Sequence, residues 1–150
     1  FGKRRVSLTF NDSAKFEDRW VRMAVNQSSP CIFTRGIDRI FLPVRHGEGK
    51  FVCDNSDTLE EINKNQMAVL RYADEGFHPT MEYPSNPNGA VDSIAGICDA
   101  SGRIFGLMPH PEAFTHPSNH PKWTRLDMLP DKGEGMAIFD NAVQYIKGVI

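Results

Sequence analysis

The sequence predicts a mixed α/β domain, and three patterns carry that expectation. Short apolar runs broken by turn residues fill the first half. A capped amphipathic segment interrupts them, and the chain closes on an apolar stripe with helical spacing. Taken in order, Val6 to Phe10, Trp20 to Val25 and Arg39 to Arg45 read as strands. Pro43 removes a backbone donor from the third run, which places it at an edge, a bulge or the strand end. Gly47-Glu48-Gly49 breaks the pattern before a further strand, Lys50 to Cys53. Asp57 followed by Glu60 has the form of a capping box for a helix over Thr58 to Asn65, and Met67 to Tyr72 returns to strand.

The second half is punctuated more heavily. Pro79 to Gly89 holds three prolines, two asparagines and a glycine, which excludes regular structure and predicts a surface loop. Ile94 to Cys98 and Arg103 to Met108 are apolar runs around Asp99-Ala100-Ser101-Gly102, the composition of a hairpin. The second of these strands ends at Pro109-His110-Pro111-Glu112. Ala113 to Glu134 shows no periodicity, and an irregular stretch of that length is usually functional. Met136, Phe139, Val143, Ile146 and Ile150 then recur at helical spacing as one apolar stripe that should dock on the sheet.

Composition narrows the function classes. The 150 residues, 40% hydrophobic and 24% charged, fit one domain, 1–150, that can bury a core. A net charge of -2 supplies no basic field for a nucleic-acid backbone or an anionic membrane. No apolar run approaches the roughly 18 to 20 residues that span a bilayer, so the expectation is a soluble, cytoplasmic protein. Cys31, Cys53 and Cys98 form no C-x-x-C pair, which fits reduced thiols rather than a disulfide scaffold or a zinc site. A chain that opens on Phe1 and enters a strand almost at once reads as a piece of something longer.

His110 and Glu112 stand two apart at the end of an apolar strand. In extended geometry they project to one side of the chain, so the carboxylate can orient the imidazole. Such a pair is the general-base half of a nucleophilic triad whose cysteine or serine comes from elsewhere. The plain alternative is a surface histidine beside a solvated glutamate.

The wider pattern adds to that pair. Gly106-Leu107-Met108-Pro109-His110-Pro111-Glu112 resembles the triad signature of class I glutamine amidotransferases. Asn11 to Arg19, Pro43 to Lys50, Asn86-Pro87-Asn88-Gly89 and Ile94 to Asp99 resemble, in the same order, the glutaminase domain of phosphoribosylformylglycinamidine synthase. The resemblance runs from about Val6 to the final helix. It implies the C-terminal part of a flavodoxin-like amidotransferase domain, a mixed sheet with flanking helices. It also implies a Cys-His-Glu triad that hydrolyses glutamine through a thioester and passes ammonia to a synthase domain, fused or separate. That synthase would use ATP and Mg, whereas this chain itself would need no cofactor. In these terms His110 is base and acid, and Glu112 orients it.

The sequence departs from the family at one position that matters. The family's nucleophile sits in a Gly-x-Cys-x-Gly-x-Gln elbow, upstream of every segment quoted, and these 150 residues contain no such elbow. Cys98, in Gly96-Ile97-Cys98, imitates its start. It is followed by a turn and a strand rather than by a helix whose N-terminus steadies an anion, so it reads as a core residue. Cys31 and Cys53 have neither flanking glycines nor a following helix.

His46, Gly47 and Glu48 are the candidate substrate-binding residues. In related amidotransferases the backbone at the corresponding strand end helps hold the glutamine α-carboxylate and amine. A tight turn with a polar strand-end histidine is the competing view. Asn11 and Arg19 read as structural. His110, His116, His120 and Glu112 could form a metal cluster, but Pro117 breaks the helical pairing of His116 with His120, and no metal site is expected. The missing half of the domain, with its nucleophile, would cover an exposed strand edge here. The rival from another class is a non-catalytic binding or scaffolding module derived from the same domain. A zinc hydrolase is the third.

Overall fold

The computed structural model describes residues 3–148. Seven strands and two helices carry its architecture. They are β1 (Val6–Thr9), β2 (Glu17–Val25), β3 (Arg39–His46), β4 (Lys50–Cys53), α1 (Ser56–Lys64), β5 (Ala68–Ala73), β6 (Ile94–Cys98), β7 (Phe105–Leu107) and α2 (Met136–Ile146). One sheet has the order β3-β2-β5-β6-β7, and β1 pairs with β4 as a separate ribbon. The α/β class holds. The pairings among these strands all run antiparallel, a narrower pattern than the mixed sheet expected.

Residue pattern sets the layers. On β3, Ile40, Leu42, Val44 and His46 are buried at alternate positions and share one face, and Pro43 is also covered from the other side. The central strand β5 buries Ala68, Val69 and Leu70 in succession, as a strand covered on both faces does. Met23, Leu42, Leu70, Tyr72 and Ile94 form the heart of the core. On the opposite face Trp20, Phe41 and Phe114 pack ring to ring, with Trp20 and Phe114 edge-on at 5.1 Å between centroids.

Three expectations are corrected. Helix α1 begins at Ser56, and its cap is Asn55 rather than Asp57: Asn55 Oδ1 accepts from the Thr58 amide at 2.9 Å. Either residue type can cap, and the earlier one is the residue in extended conformation.

Among the described residues, the stripe assigned to α2 is not the face that docks. Phe139, Val143 and Ile146 are 40%, 48% and 83% exposed, whereas Ile138 is 4% exposed. The docked face runs Ile138, Asn141, Ala142 and Tyr145, positions i, i+3, i+4 and i+7. Asn141 hides this face from an apolar count. Its amide donates to the carbonyls of Phe33 and Arg35, both at 2.9 Å, and so anchors the helix by hydrogen bonds beside the hydrophobic contact that Ile138 makes with the core. Ile150 lies outside the described residues.

The segment 79–89 is not wholly a surface loop, because Asn86, Pro87 and Asn88 are almost fully buried. Asn86 makes that possible by satisfying backbone internally: its side chain donates to the Ala90 carbonyl at 2.9 Å and accepts from the Ala90 amide at 3.0 Å.

The sheet curls until its two margins meet through the chain that follows β7. His110, three residues past β7, donates its amide to the carbonyl of Pro43 on the opposite edge strand at 2.8 Å. Farther along, Glu134 Oε2 accepts from the Phe41 amide at 2.8 Å. The irregular stretch between β7 and α2 is therefore pinned at both ends to β3, which covers a strand edge that would otherwise invite pairing.

Candidate active site

Strand β7 delivers the chain to Met108, whose amide donates to Ala95 at 2.9 Å, and the next residues leave the ladder. Pro111 opens a single 3-10 turn, Pro111–Ala113, with His110 immediately before it. The proline fixes its own φ and has no N–H to waste at that first position. Within this turn His110 Nδ1 lies 2.7 Å from Glu112 Oε1. Both side chains reach solvent.

The electrostatics give the pair a direction. Partial burial pushes the Glu112 carboxyl up, but its hydrogen bond with His110, its own backbone amide and the nearby Arg45 outweigh that and hold it below the usual range. An ionised carboxylate only accepts, so the Nδ1 proton belongs to His110, and in the neutral imidazole the lone pair is then on Nε2. A neutral imidazole held in this tautomer can take a proton at Nε2 and return it.

His46 ends β3 opposite Glu17 of β2. Its ring is turned into the protein, and neither ring nitrogen has a partner among the described residues. Burial is the chief cause that lowers its pKa, against its own backbone and Glu17, which raise it. Gly49 makes room for the ring, since a side chain there would overlap it. The part of the turn that meets solvent is Gly47 and Glu48, and a carbon added at Gly47 would touch no protein atom. His46 follows Pro43, the residue that receives the His110 amide, by three strand positions, roughly 10 Å. The turn and the His110–Glu112 pair thus stand at the same end of β3.

The other candidates sit apart from this centre. Cys98 closes β6 in a buried position with its sulfur 3.6 Å from Ser29 Oγ. Burial raises the thiols of Cys31, Cys53 and Cys98, which makes them poor nucleophiles. His116 Nδ1 bonds the Ser118 hydroxyl at 2.8 Å, and His120 Nδ1 accepts from the Lys122 amide at 3.1 Å. His120 also rests among Trp20, Phe41 and Phe114. No group of three or more His, Cys, Asp or Glu among the described residues could hold a metal ion. No described helix is long and apolar enough to cross a membrane.

Asn11, which the sequence reads as structural, is buried and bonds the turn. The part played by Asn88 went unseen, although its Asn-Pro-Asn-Gly context was conspicuous. Nothing in a loop composition says that one of its polar residues points inward.

A curled α/β domain with an imidazole and carboxylate paired at a strand end has a side-chain arrangement that can hold and pass a proton. Comparison with known proteins gives the family. Residues 2–146 match the CobB/CobQ-like glutamine amidotransferase domain, and the chain belongs to that family. It is 48% identical over 145 residues to the phosphoribosylformylglycinamidine synthase subunit PurQ of Dehalococcoides mccartyi, covering 97% of this chain and 54% of that one. It is 38% identical over 112 residues to human phosphoribosylformylglycinamidine synthase, covering 73% of this chain and 8% of the human protein. The structure of PurLQS from Thermotoga maritima matches with a TM-score of 0.66 at 27% identity, over 95% of this chain and 54% of that one. The glutaminase of phosphoribosylformylglycinamidine synthase is thus the relative it resembles throughout. The chain spans about half the length of the PurQ relatives it matches.

Proposed function

We propose that this chain is the C-terminal part of a glutaminase that supplies ammonia for the amidination step of phosphoribosylformylglycinamidine synthase, in purine biosynthesis. The observation that carries the reading is the His110–Glu112 pair, closed at 2.7 Å in the turn after β7. His110 Nε2 takes the proton of a cysteine thiol, the thiolate attacks the amide carbon of glutamine, and the same imidazole returns the proton to the departing ammonia. A water deprotonated by His110 then splits the thioester to glutamate. Glu112 holds the tautomer and offsets the imidazolium charge as it forms.

The nucleophile and the upstream half of the domain complete the site. Strand β7 pairs only with β6 among the described strands, and an apolar groove of 360 Å³ beside it is lined by Leu8, Phe51, Ile94, Leu107 and Met108. That margin suits the missing half. Glutamine lies between the Gly47–Glu48 turn and His110. ATP and Mg belong to the synthase partner, where the amidination takes place, and this chain needs neither.

The test compares glutamine-dependent with ammonia-dependent synthesis in the assembled enzyme. His110→Ala is expected to lower the glutamine-dependent rate by about a thousandfold or more and to leave the ammonia-dependent rate intact. Equal losses in both would remove the glutaminase role.

A further inference from the structure

We infer that Asn88, together with Asn11, is a positioning residue for glutamine: the two buried amides fix the His46–Gly49 turn so that its Gly47 and Glu48 N–H groups stay free for the substrate carboxylate. The inference rests on the proposed reading that glutamine lies against this turn. Asn11 holds three points of it. Its Nδ2 donates to the His46 carbonyl at 2.7 Å, its backbone amide donates to the Gly47 carbonyl at 3.0 Å, and its Oδ1 accepts from the Gly49 amide at 3.0 Å. Asn88 holds the fourth, donating Nδ2 to the Gly49 carbonyl at 2.9 Å. The carbonyls of His46, Gly47 and Gly49 and the amide of Gly49 are thereby occupied. The adjacent amides of Gly47 and Glu48 donate to no acceptor among the described residues. Consecutive unpartnered N–H groups at a turn suit a carboxylate.

Asn88 is itself immobilised. Its Nδ2 also donates to the hydroxyl of Tyr72 at 2.9 Å, and Tyr72 is fully buried on the central strand β5. Its carbonyl accepts from the Asp12 amide at 3.2 Å. Gly89 follows at φ +74, and a side chain there would overlap the Asp12 carboxylate. Asn86 locks the same loop on Ala90. The Asn-Pro-Asn-Gly loop is in this way a bracket that joins the turn to the core of the sheet.

A second observation separates this arrangement from ordinary packing. Asn88 Oδ1 and both ring nitrogens of His46 are buried beside the turn without partners among the described residues. His46 is 9% exposed and Asn88 is 0% exposed. Buried unpartnered polar atoms lower stability, so stability alone does not account for these two residues.

The experiment measures KM and kcat for L-glutamine in the assembled enzyme, with ammonia-dependent synthesis and melting temperature as controls. Asn88→Asp keeps the shape and loses both donated bonds. It is expected to raise KM for glutamine roughly tenfold to a hundredfold, with kcat changed far less and ammonia-dependent synthesis unchanged. Tyr72→Phe, which removes one acceptor and keeps the core filled, is expected to raise KM by a smaller factor, and it carries the test if Asn88→Asp does not fold. A lower melting temperature with unchanged KM in both variants would overturn the inference and leave Asn88 a fold residue. Gly47→Val separates the inference from the reading beneath it, because the first added carbon meets no protein atom. Unchanged KM there removes glutamine from the turn and the inference with it. Raised KM there, with unchanged KM in Asn88→Asp and Tyr72→Phe, removes only the positioning role.

Discussion

The amide of His110 donates to the carbonyl of Pro43 at 2.8 Å, and by this bond the turn that follows one edge strand is fastened to the other edge strand of the same sheet. The imidazole and its carboxylate are therefore carried on a turn held from two sides. Rigid placement of a base is what general catalysis requires.

Glu112→Gln tests the directional part of that argument. The amide keeps the shape but can donate to Nδ1, which favours the wrong tautomer, and a comparable change in a serine triad costs about ten-thousandfold. The glutamine-dependent rate should fall by about a hundredfold to ten-thousandfold, with KM changed little. A KM rise with kcat intact would show Glu112 binding substrate instead of orienting His110.

Gly135 guards the same turn from behind. A methyl group there would overlap the carbonyl oxygen of Pro111 and lie 2.8 Å from that of Phe114. Gly135→Ala is expected to lower stability by about 1–3 kcal/mol and to slow glutamine hydrolysis more than ammonia-dependent synthesis. Denaturant unfolding and the two assays check it together. An unchanged midpoint would mean that the turn yields easily.

The corrected face of α2 makes a paired prediction. Ile138→Ala should cost about 2–5 kcal/mol, the range for truncating a buried isoleucine, whereas Phe139→Ser and Val143→Ser, at half-exposed positions, should each cost clearly less. Thermal unfolding of the three variants decides it, and the reverse order would restore the stripe read from the sequence.

His46 links stability to pH. Its folded pKa is lowered, chiefly by burial, so the unfolded chain binds the extra proton more readily. The neutral, buried form is favoured above the ordinary histidine value of about 6.5, and stability should fall as pH drops through that value toward the lowered one. His46→Phe should flatten this part of the stability profile below about pH 6.5. An identical slope in the variant would assign the dependence to other groups.

What the sequence disclosed follows from what each signal measures. Alternation and turn residues report local geometry, which is why Lys50 to Cys53 and Ile94 to Cys98 coincide with strands β4 and β6. The His-Pro-Glu spacing likewise contains its own geometry. An apolar stripe reports only how oily a face is, and within the described residues α2 docks through Ile138 and an asparagine, so Phe139, Val143 and Ile146 misled. Loop composition misled at 86–88 for the same reason, since burial there depends on partners distant in the chain. The clamp on the His46–Gly49 turn brings together Asn11, Asn88 and Tyr72 from three segments. No local pattern joins them.

The most direct test of the account is ammonia release from glutamine by the 150-residue chain alone and by a version extended with the sequence its gene encodes upstream, each treated with a glutamine analogue that alkylates nucleophilic cysteines. The account predicts no turnover from the short chain, turnover from the extended one, and label confined to a cysteine upstream of Phe1. Glutamine turnover by the short chain, abolished by Cys98→Ser, would contradict it and make Cys98 the nucleophile.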